Sequence, residues 1–291
     1  MAGVCLLCSS NDATTVQVGI RHDATVTILQ CNGCGFVYQW PRPSESELRE
    51  YYSSQYLAEY DQQVDDPEQT YRRIEPESHV RAQRLDALLG SSSDVLEVGC
   101  SAGAFLAAVQ SRVSTVTGVE PGAAEREWAR TRLGINVVGS IEEIGDRQFD
   151  LIALFHTLEH LLDPVAALRT LLARLKPGGR IVLEVPNVTD ALLALYPVPA
   201  FPAFYYQRAH LSYFSIDTLA AAVASAGGTA LISGVQRYDL SNHLWWLAKG
   251  EPGGQGRYDH VFDQAARDAY ANALVKSGHA DTLWAVVAAS Q

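Results

Sequence analysis

Four of the five cysteines fall before residue 35, spaced as Cys5-x-x-Cys8 and Cys31-x-x-Cys34. Each pair is followed by a small residue, Ser9 or Gly35, that permits a tight turn, so two thiolates can wrap one side of a tetrahedral ion. Two such pairs complete a four-coordinate Zn²⁺ site. The 22 residues between the pairs leave room for a hairpin, and Thr14–Val18 and Thr25–Leu29 alternate as strands do. Cys5, Cys8, Cys31 and Cys34 therefore read as a structural zinc ribbon, with no open coordination position for catalysis. The rivals are two disulfides, disfavoured in a chain with no export signal, and a redox pair, disfavoured by two matched knuckles. Cys100 stands apart and reads as a small buried filler.

The second locus is Asp94–Gly103, D-V-L-E-V-G-C-S-A-G. A short apolar run passing through Glu97 into a small-residue loop is how a buried parallel strand hands over to a helix whose N-terminus can face a nucleoside. Gly99 and Gly103 let backbone approach a ligand closely. Their G-x-x-x-G spacing is neither the dinucleotide fingerprint nor a P-loop. Seventeen residues past Gly103, V-T-G-V-E-P ends a second strand at Glu120, where a carboxylate can accept hydrogen bonds from both ribose hydroxyls. Two further segments follow: F-D-L-I-A-L-F-H-T-L-E-H-L-L-D-P from Phe149 to Pro164, and L-K-P-G-G-R-I-V-L-E-V-P-N from Leu175 to Asn187.

In this order the four segments resemble class I S-adenosylmethionine-dependent methyltransferases, from Glu75 to Lys249. The resemblance implies an α/β fold with a seven-stranded Rossmann-like sheet and S-adenosylmethionine at its carboxyl edge. It places the methionine part over Gly99–Gly103 and the ribose on Glu120, with Glu97, Cys100, Ser101 and His156 completing the cofactor set. Ser101 stands where the family often has its middle glycine, and serine is small enough to keep the loop.

Two histidine-bearing segments are expected to meet above the sheet edge: His156, Glu159 and His160 after the fourth strand, and Gln207–Ser215, Q-R-A-H-L-S-Y-F-S, with His210. The zinc ribbon, H-T-L-E-H and A-H-L-S-Y-F-S together resemble zinc-containing deoxysugar C-methyltransferases. That likeness implies active-site histidines at His160 and His210, the later one the base. Gln207 and Ala209 depart from that family's tyrosine and acidic residue, and its long C-terminal domain has no counterpart in the sequence, so the sugar and the carbon acceptor stay open. The cofactor's methyl group is already activated as a sulfonium, leaving the protein to align an acceptor and remove its proton, a task suited to a neutral histidine. Glu159 either orients a histidine or is a plain helix-start carboxylate. The apolar Ala191–Tyr206 stretch either caps the acceptor pocket or is plain core.

The elements that must position these groups are legible. Ser44-Glu45-Ser46-Glu47 opens a capped helix to Ala58. Its Tyr51, Tyr52 and Tyr56 either pack on a neighbour or cover the substrate. Asp61–Arg73 reads as mobile, and a helix over Glu77–Leu89 leads into the first strand of the sheet. Helices are expected over 102–110, 123–133, 164–175 and 215–226, with Asp163-Pro164 as cap and first turn. Strands Thr229–Tyr238 and His243–Ala248 are expected to form an edge hairpin. Glycines 250, 253, 254 and 256 mark a loop, and a helical tail from Arg257 either packs back or leaves a homodimer open.

The resulting partition is a ribbon over 1–40, a linker helix and mobile segment over 41–75, a methyltransferase domain over 76–250 and a helical tail over 251–291. The chain has 291 residues, 47% hydrophobic, which suffices for one large core with a small appendage. A net charge of −11 with three lysines weighs against a nucleic-acid partner. M-A-G-V-C-L-L-C has no basic n-region or adequate apolar core for a signal peptide, and Ala191–Tyr206 is broken by prolines, so a cytoplasmic protein with a small-molecule acceptor and no membrane partner is expected. The rivals are an rRNA base methyltransferase and a non-catalytic protein that keeps the fold.

Overall fold

A computed structural model describes residues 3–21, 23–54 and 66–290. The chain forms two interleaved compact units, residues 1–42, 158–166 and 184–285 in one and 43–157, 167–183 and 286–291 in the other.

In the first unit, β1 (Ala13–Ile20), β2 (Asp23–Cys31) and β3 (Val37–Trp40) form an antiparallel ribbon. The two strands expected between the cysteine pairs are β1 and β2, each longer than its alternating stretch. A fourth strand, β9 (Ser212–Tyr213), adds to β3 and comes from the segment that carries His210. Ile20, Val26, Ile28 and Val37 from the ribbon are buried in one core with Val198, Phe201, Tyr205, Tyr206, Tyr213 and Trp246. Much of the Ala191–Tyr206 stretch is accounted for here: it forms two short helices, Ala191–Ala194 and Phe201–Tyr205, on that aromatic core.

The large sheet has seven strands: β4 (Asp94–Val98), β5 (Thr115–Val119), β6 (Asn136–Val138), β7 (Phe149–Phe155), β8 (Leu175–Pro186), β10 (Gly228–Val235) and β11 (Thr282–Ala289), in the order β10-β11-β8-β7-β4-β5-β6. β4 is parallel to both β5 and β7, and β5 to β6. The near-continuous burial of β4 and β7 is that of strands covered on both faces. Helices occupy Ala104–Gln110, Ala123–Leu133, Pro164–Leu172 and Ile216–Ala226. Asp163 accepts from the Ala166 N–H at 2.9 Å, the cap expected of it. Ser44 and Glu47 form their reciprocal box, and the helix they open is described over Glu45–Ser54.

Three expectations are corrected. Asp61–Arg73 reads as mobile in sequence, but Pro67 begins a helix running to Arg84; proline suits a first turn, Glu68 and Arg72 pair one turn apart at 2.6 Å, and the Tyr71 ring packs at a tilt 5.1 Å from that of Trp128. Residues 61–65 and Tyr56 lie outside the described residues. His243–Ala248 is not a strand: Leu240–Lys249 is a helix, started by Asp239 accepting from the Asn242 N–H at 2.8 Å and stopped by Gly250 in the left-handed region. The partner of β10 is instead β11, so the tail is not wholly helical. It carries the helix Gln264–Ser277 and then packs back as an interior strand between β10 and β8.

Candidate functional site

The loop after β4 is built from unusual backbone. Gly99 and Gly103 have φ of +75° and +80°, and Ser101 between them has φ of +49°. His156, at the end of β7, has φ of +50°. Such conformations are uncommon for residues with a Cβ and cluster where a ligand must be approached closely. At Gly99 a Cβ would stand 2.3 Å from Thr157 Oγ1, so only glycine fits. Cys100 is buried, and its Sγ would lie 2.5 Å from a Cβ at Gly118, the filler role expected of it.

Glu120 follows β5. Its Oε2 accepts from the Ser101 N–H at 2.8 Å and its Oε1 from the Gly122 N–H at 2.7 Å, so the carboxylate ties the glycine loop to the next helix. Each oxygen keeps a lone pair for a further donor. Burial pushes this carboxyl up to about 7, against the pull of the two N–H groups. Glu97 is buried on β4, and its Oε2 has no hydrogen-bond partner among the described residues. Burial raises it well above the usual carboxylate range and the Glu120 charge adds to this, while Arg81, stacked at 4.7 Å over Phe155, opposes it. A buried carboxyl whose Oε2 has no hydrogen-bond partner among the described residues, a two-oxygen acceptor and a loop with no room for a Cβ at Gly99 are a donor and acceptor set that fits S-adenosylmethionine. A buried acid without a partner is costly unless a cation or donor meets it.

In the other unit, Leu158–His160 forms a single 3₁₀ turn, and the Leu211 N–H donates to the Glu159 carbonyl at 2.8 Å. This brings the two histidine segments together. The His160 and His210 rings meet edge to face at 4.8 Å, and one ligand-type atom from each of Glu159, His160 and His210 lies within 4.8 Å of the others. Glu159 and His210 are buried, and His160 is half-buried. The Tyr213 ring lies 5.9 Å from that of His210 and 5.8 Å from that of Tyr205, and the buried Tyr205 hydroxyl has no hydrogen-bond partner among the described residues.

The four N-terminal thiols also converge. Cys5 and Cys34 sulfurs are 3.6 Å apart, Cys8 and Cys31 sulfurs 3.4 Å, and all four lie within 4.8 Å of one another. A tetrahedron with Zn–S bonds of about 2.3 Å has sulfurs about 3.8 Å apart, whereas a disulfide needs about 2.05 Å. The Ser9 N–H donates to the Cys5 carbonyl at 2.9 Å and the Gly35 N–H to the Cys31 carbonyl at 2.8 Å, two matched knuckles with left-handed Ser9 and Gly35.

Arg42 and a partly buried polar relay escape sequence reasoning. Arg42 donates to the Leu162 and Leu211 carbonyls and to Ser212 Oγ. The pattern W-P-R-P shows only a stiff exit and nothing of that reach. His243 Nδ1 lies 2.5 Å from the Tyr270 hydroxyl, which lies 2.8 Å from that of Tyr196; burial pushes His243 down to about 4. Tyr51 is buried, and the side chain of Tyr52 lies outside the described residues.

This chain belongs to the family described as a methyltransferase domain, whose model matches residues 69–231, more than half of its length. The fold and family together define a class I S-adenosylmethionine-dependent methyltransferase. Among curated relatives it is similar to a ubiquinone biosynthesis O-methyltransferase of Xanthomonas axonopodis pv. citri, 31% identical over 147 residues, 47% of this chain and 60% of that one. Another of the same description, from Pseudomonas fluorescens, is 29% identical over 132 residues, 42% and 57% of the two chains. The matches thus span less than two thirds of those relatives. A SAM-dependent methyltransferase from Archaeoglobus fulgidus shares the fold at a TM-score of 0.51 and 21% identity, covering 81% of this chain and all of that one. Among the described residues, no helix is long and apolar enough to cross a membrane.

Proposed function

We propose that the protein transfers a methyl group from S-adenosylmethionine to a small biosynthetic intermediate, with His210 as general base and His160 supporting it or holding the acceptor. The observation that carries the base is the Glu159–His160–His210 group, two imidazoles edge to face beside a fully buried carboxylate. The edge-to-face packing fixes where the imidazole nitrogens lie, which is what a positioned proton acceptor requires. Glu120 accepts from the ribose hydroxyls, Glu97 meets the methionine ammonium, and Gly99, Cys100, Ser101 and Gly103 let the chain lie against the amino-acid end. His156, four residues before His160 in the chain, completes the cofactor set. When bound, S-adenosylmethionine supplies a methyl group already activated for displacement. The chain's own work is to align the acceptor, exclude water and take the acceptor proton at a His210 ring nitrogen.

An oxygen acceptor is supported by the relatives, which are described as O-methyltransferases. A nucleotide-linked sugar remains in the substrate set through the ribbon and the A-H-L-S-Y-F-S segment. The four-thiol group holds one Zn²⁺ in a structural role, which suits a reducing compartment and hence the cytoplasm. The acidic net charge of −11 weighs against nucleic acid as the acceptor.

The test is a screen of purified protein with methyl-labelled cofactor against sugar nucleotides and small hydroxylated aromatics, followed by His210→Asn on the acceptor found. Turnover is expected to fall about 10²–10⁴-fold, the usual worth of a positioned base, with cofactor affinity unchanged. His160→Asn is expected to cost less. Near-normal turnover of the His210 variant would overturn the base assignment, and failure to bind the cofactor at all would overturn the reaction.

A further inference from the structure

The backbone around His210 is held by the four-thiol ribbon at both ends. On one side, the Arg21 N–H donates to the Tyr206 carbonyl at 3.0 Å, and Arg21 bridges Gln207. On the other, Val37 and Tyr38 of β3 pair with Tyr213 and Ser212, and the Gln39 N–H donates to the Leu211 carbonyl at 3.2 Å. The loop also closes on itself, because the Tyr213 hydroxyl accepts from the Gln207 N–H at 3.0 Å and lies 3.2 Å from its carbonyl. β3 begins three residues after Cys34, so little chain separates the thiol cluster from the strand that holds the His210 segment.

Arg42, just past β3, adds the link to His160. Its Nη1 donates to the Leu162 carbonyl at 2.7 Å, two residues after His160. Its Nη2 donates to the Leu211 carbonyl at 3.0 Å and Ser212 Oγ at 3.1 Å, one and two residues after His210. One planar guanidinium thus spans the two backbone segments that carry the imidazoles, a reach that a single ammonium cannot reproduce. Among the described residues its hydrogen bonds go to two carbonyls and a hydroxyl, and the nearby Asp163 carboxylate adds a charge contact that favours the cationic form.

We propose that Arg42 is a positioning residue for the His160–His210 pair, and that through Arg42 and β3 the four-thiol ribbon sets the geometry of the base. The inference rests on the assignment of His210 as base made above. An error of about 1 Å in a catalytic group can cost about 10²-fold in rate, so a ribbon that fixes both imidazoles contributes to turnover without touching the cofactor. The ribbon's metal then has a reason to be kept in an enzyme whose chemistry does not use it.

The experiment follows the imidazole signals of His160 and His210 by ¹⁵N–¹H correlation in the full, metal-replete chain, each assigned by its Asn variant. Arg42→Ala is expected to move the pH midpoint or tautomer pattern of both rings, to leave S-adenosylhomocysteine affinity within about twofold, and to lower turnover about 10- to 100-fold. Arg42→Lys is expected to give an intermediate spectrum, because charge returns without the fork, and it decides the matter if Arg42→Ala does not fold. Stripping the ribbon metal with a chelator is expected to disturb the same two rings at unchanged cofactor affinity. Histidine signals superimposable on the parent in either Arg42 variant would overturn the proposal. The spectroscopic readout needs no acceptor, so it fails or holds separately from the base assignment itself.

Discussion

Ser101 shows how a departure from a motif is absorbed at the scale of one residue. It holds φ at +49° between two left-handed glycines, and its N–H donates to Glu120, so the loop keeps the glycine-like path with the side chain that replaced glycine. The left-handed region costs a residue with a Cβ about 1–2 kcal/mol, which the Glu120 hydrogen bond helps offset. Glu120 is the residue most exposed to test. Glu120→Ala removes an acceptor of two hydrogen bonds and should weaken S-adenosylmethionine by about 1.5–3 kcal/mol, read by calorimetry; unchanged affinity would mean that the ribose lies elsewhere.

The same carboxyl predicts a pH dependence. Its value is raised to about 7, so below pH 7 the free protein holds a proton there that must leave before both oxygens can accept from the ribose. Affinity should therefore rise with pH up to about 7 and then level, with protons released on binding in the lower range. Calorimetry in buffers of different ionisation enthalpy measures that release. Glu120→Gln should remove the part of the slope centred there, leaving whatever Glu97 contributes.

At the scale of elements, Leu240–Lys249 is the instructive case. H-L-W-W-L-A mixes branched and aromatic apolar residues that suit a strand as readily as a helix when read alone. The choice is made by its ends: Asp239 caps one end and left-handed Gly250 stops the other, while His243 and Trp246, one turn apart, both face the interior. Asp239→Ala should therefore destabilise the protein by about 0.5–2 kcal/mol, the worth of a lost N-cap, seen as a lower midpoint in urea at unchanged slope. A strand at this position would not respond to that change. The strand that pairs with β10 is Thr282–Ala289, a run of eight residues beyond a whole helix. Local pattern shows that a segment is apolar, and which strand lies between β10 and β8 depends on contacts dozens of residues away.

For the molecule as a whole, metal content is the direct measurement. One Zn²⁺ per chain is expected in freshly purified protein, and Cys31→Ser should lower that stoichiometry well below one. Because Cys31 ends β2 and Cys34 leads into β3, chelation should melt a ribbon transition while leaving cofactor affinity largely intact, since the cofactor cradle belongs to the other compact unit. Inductively coupled plasma analysis alongside cofactor titration checks both halves. Metal content near zero in the parent protein would count against the zinc reading.

Local chemistry by itself determined the paired knuckles, the Gly99–Gly103 loop after its strand, the carboxylate at the end of the next strand and the Ser44 and Asp163 caps. Each of these depends on residues within a few positions of one another, where spacing and turn geometry decide the outcome. Only the tertiary structure decided that the His210 segment would pair with the third ribbon strand, that Arg42 would reach both histidine segments, that Glu97 would be buried without a partner for its Oε2, and that the last eight-residue strand would enter the interior of the sheet. Those features join positions far apart in the chain, up to 170 residues for Arg42 and Ser212. Their stability comes from burial and from satisfying backbone donors and acceptors across the fold, which no local pattern encodes.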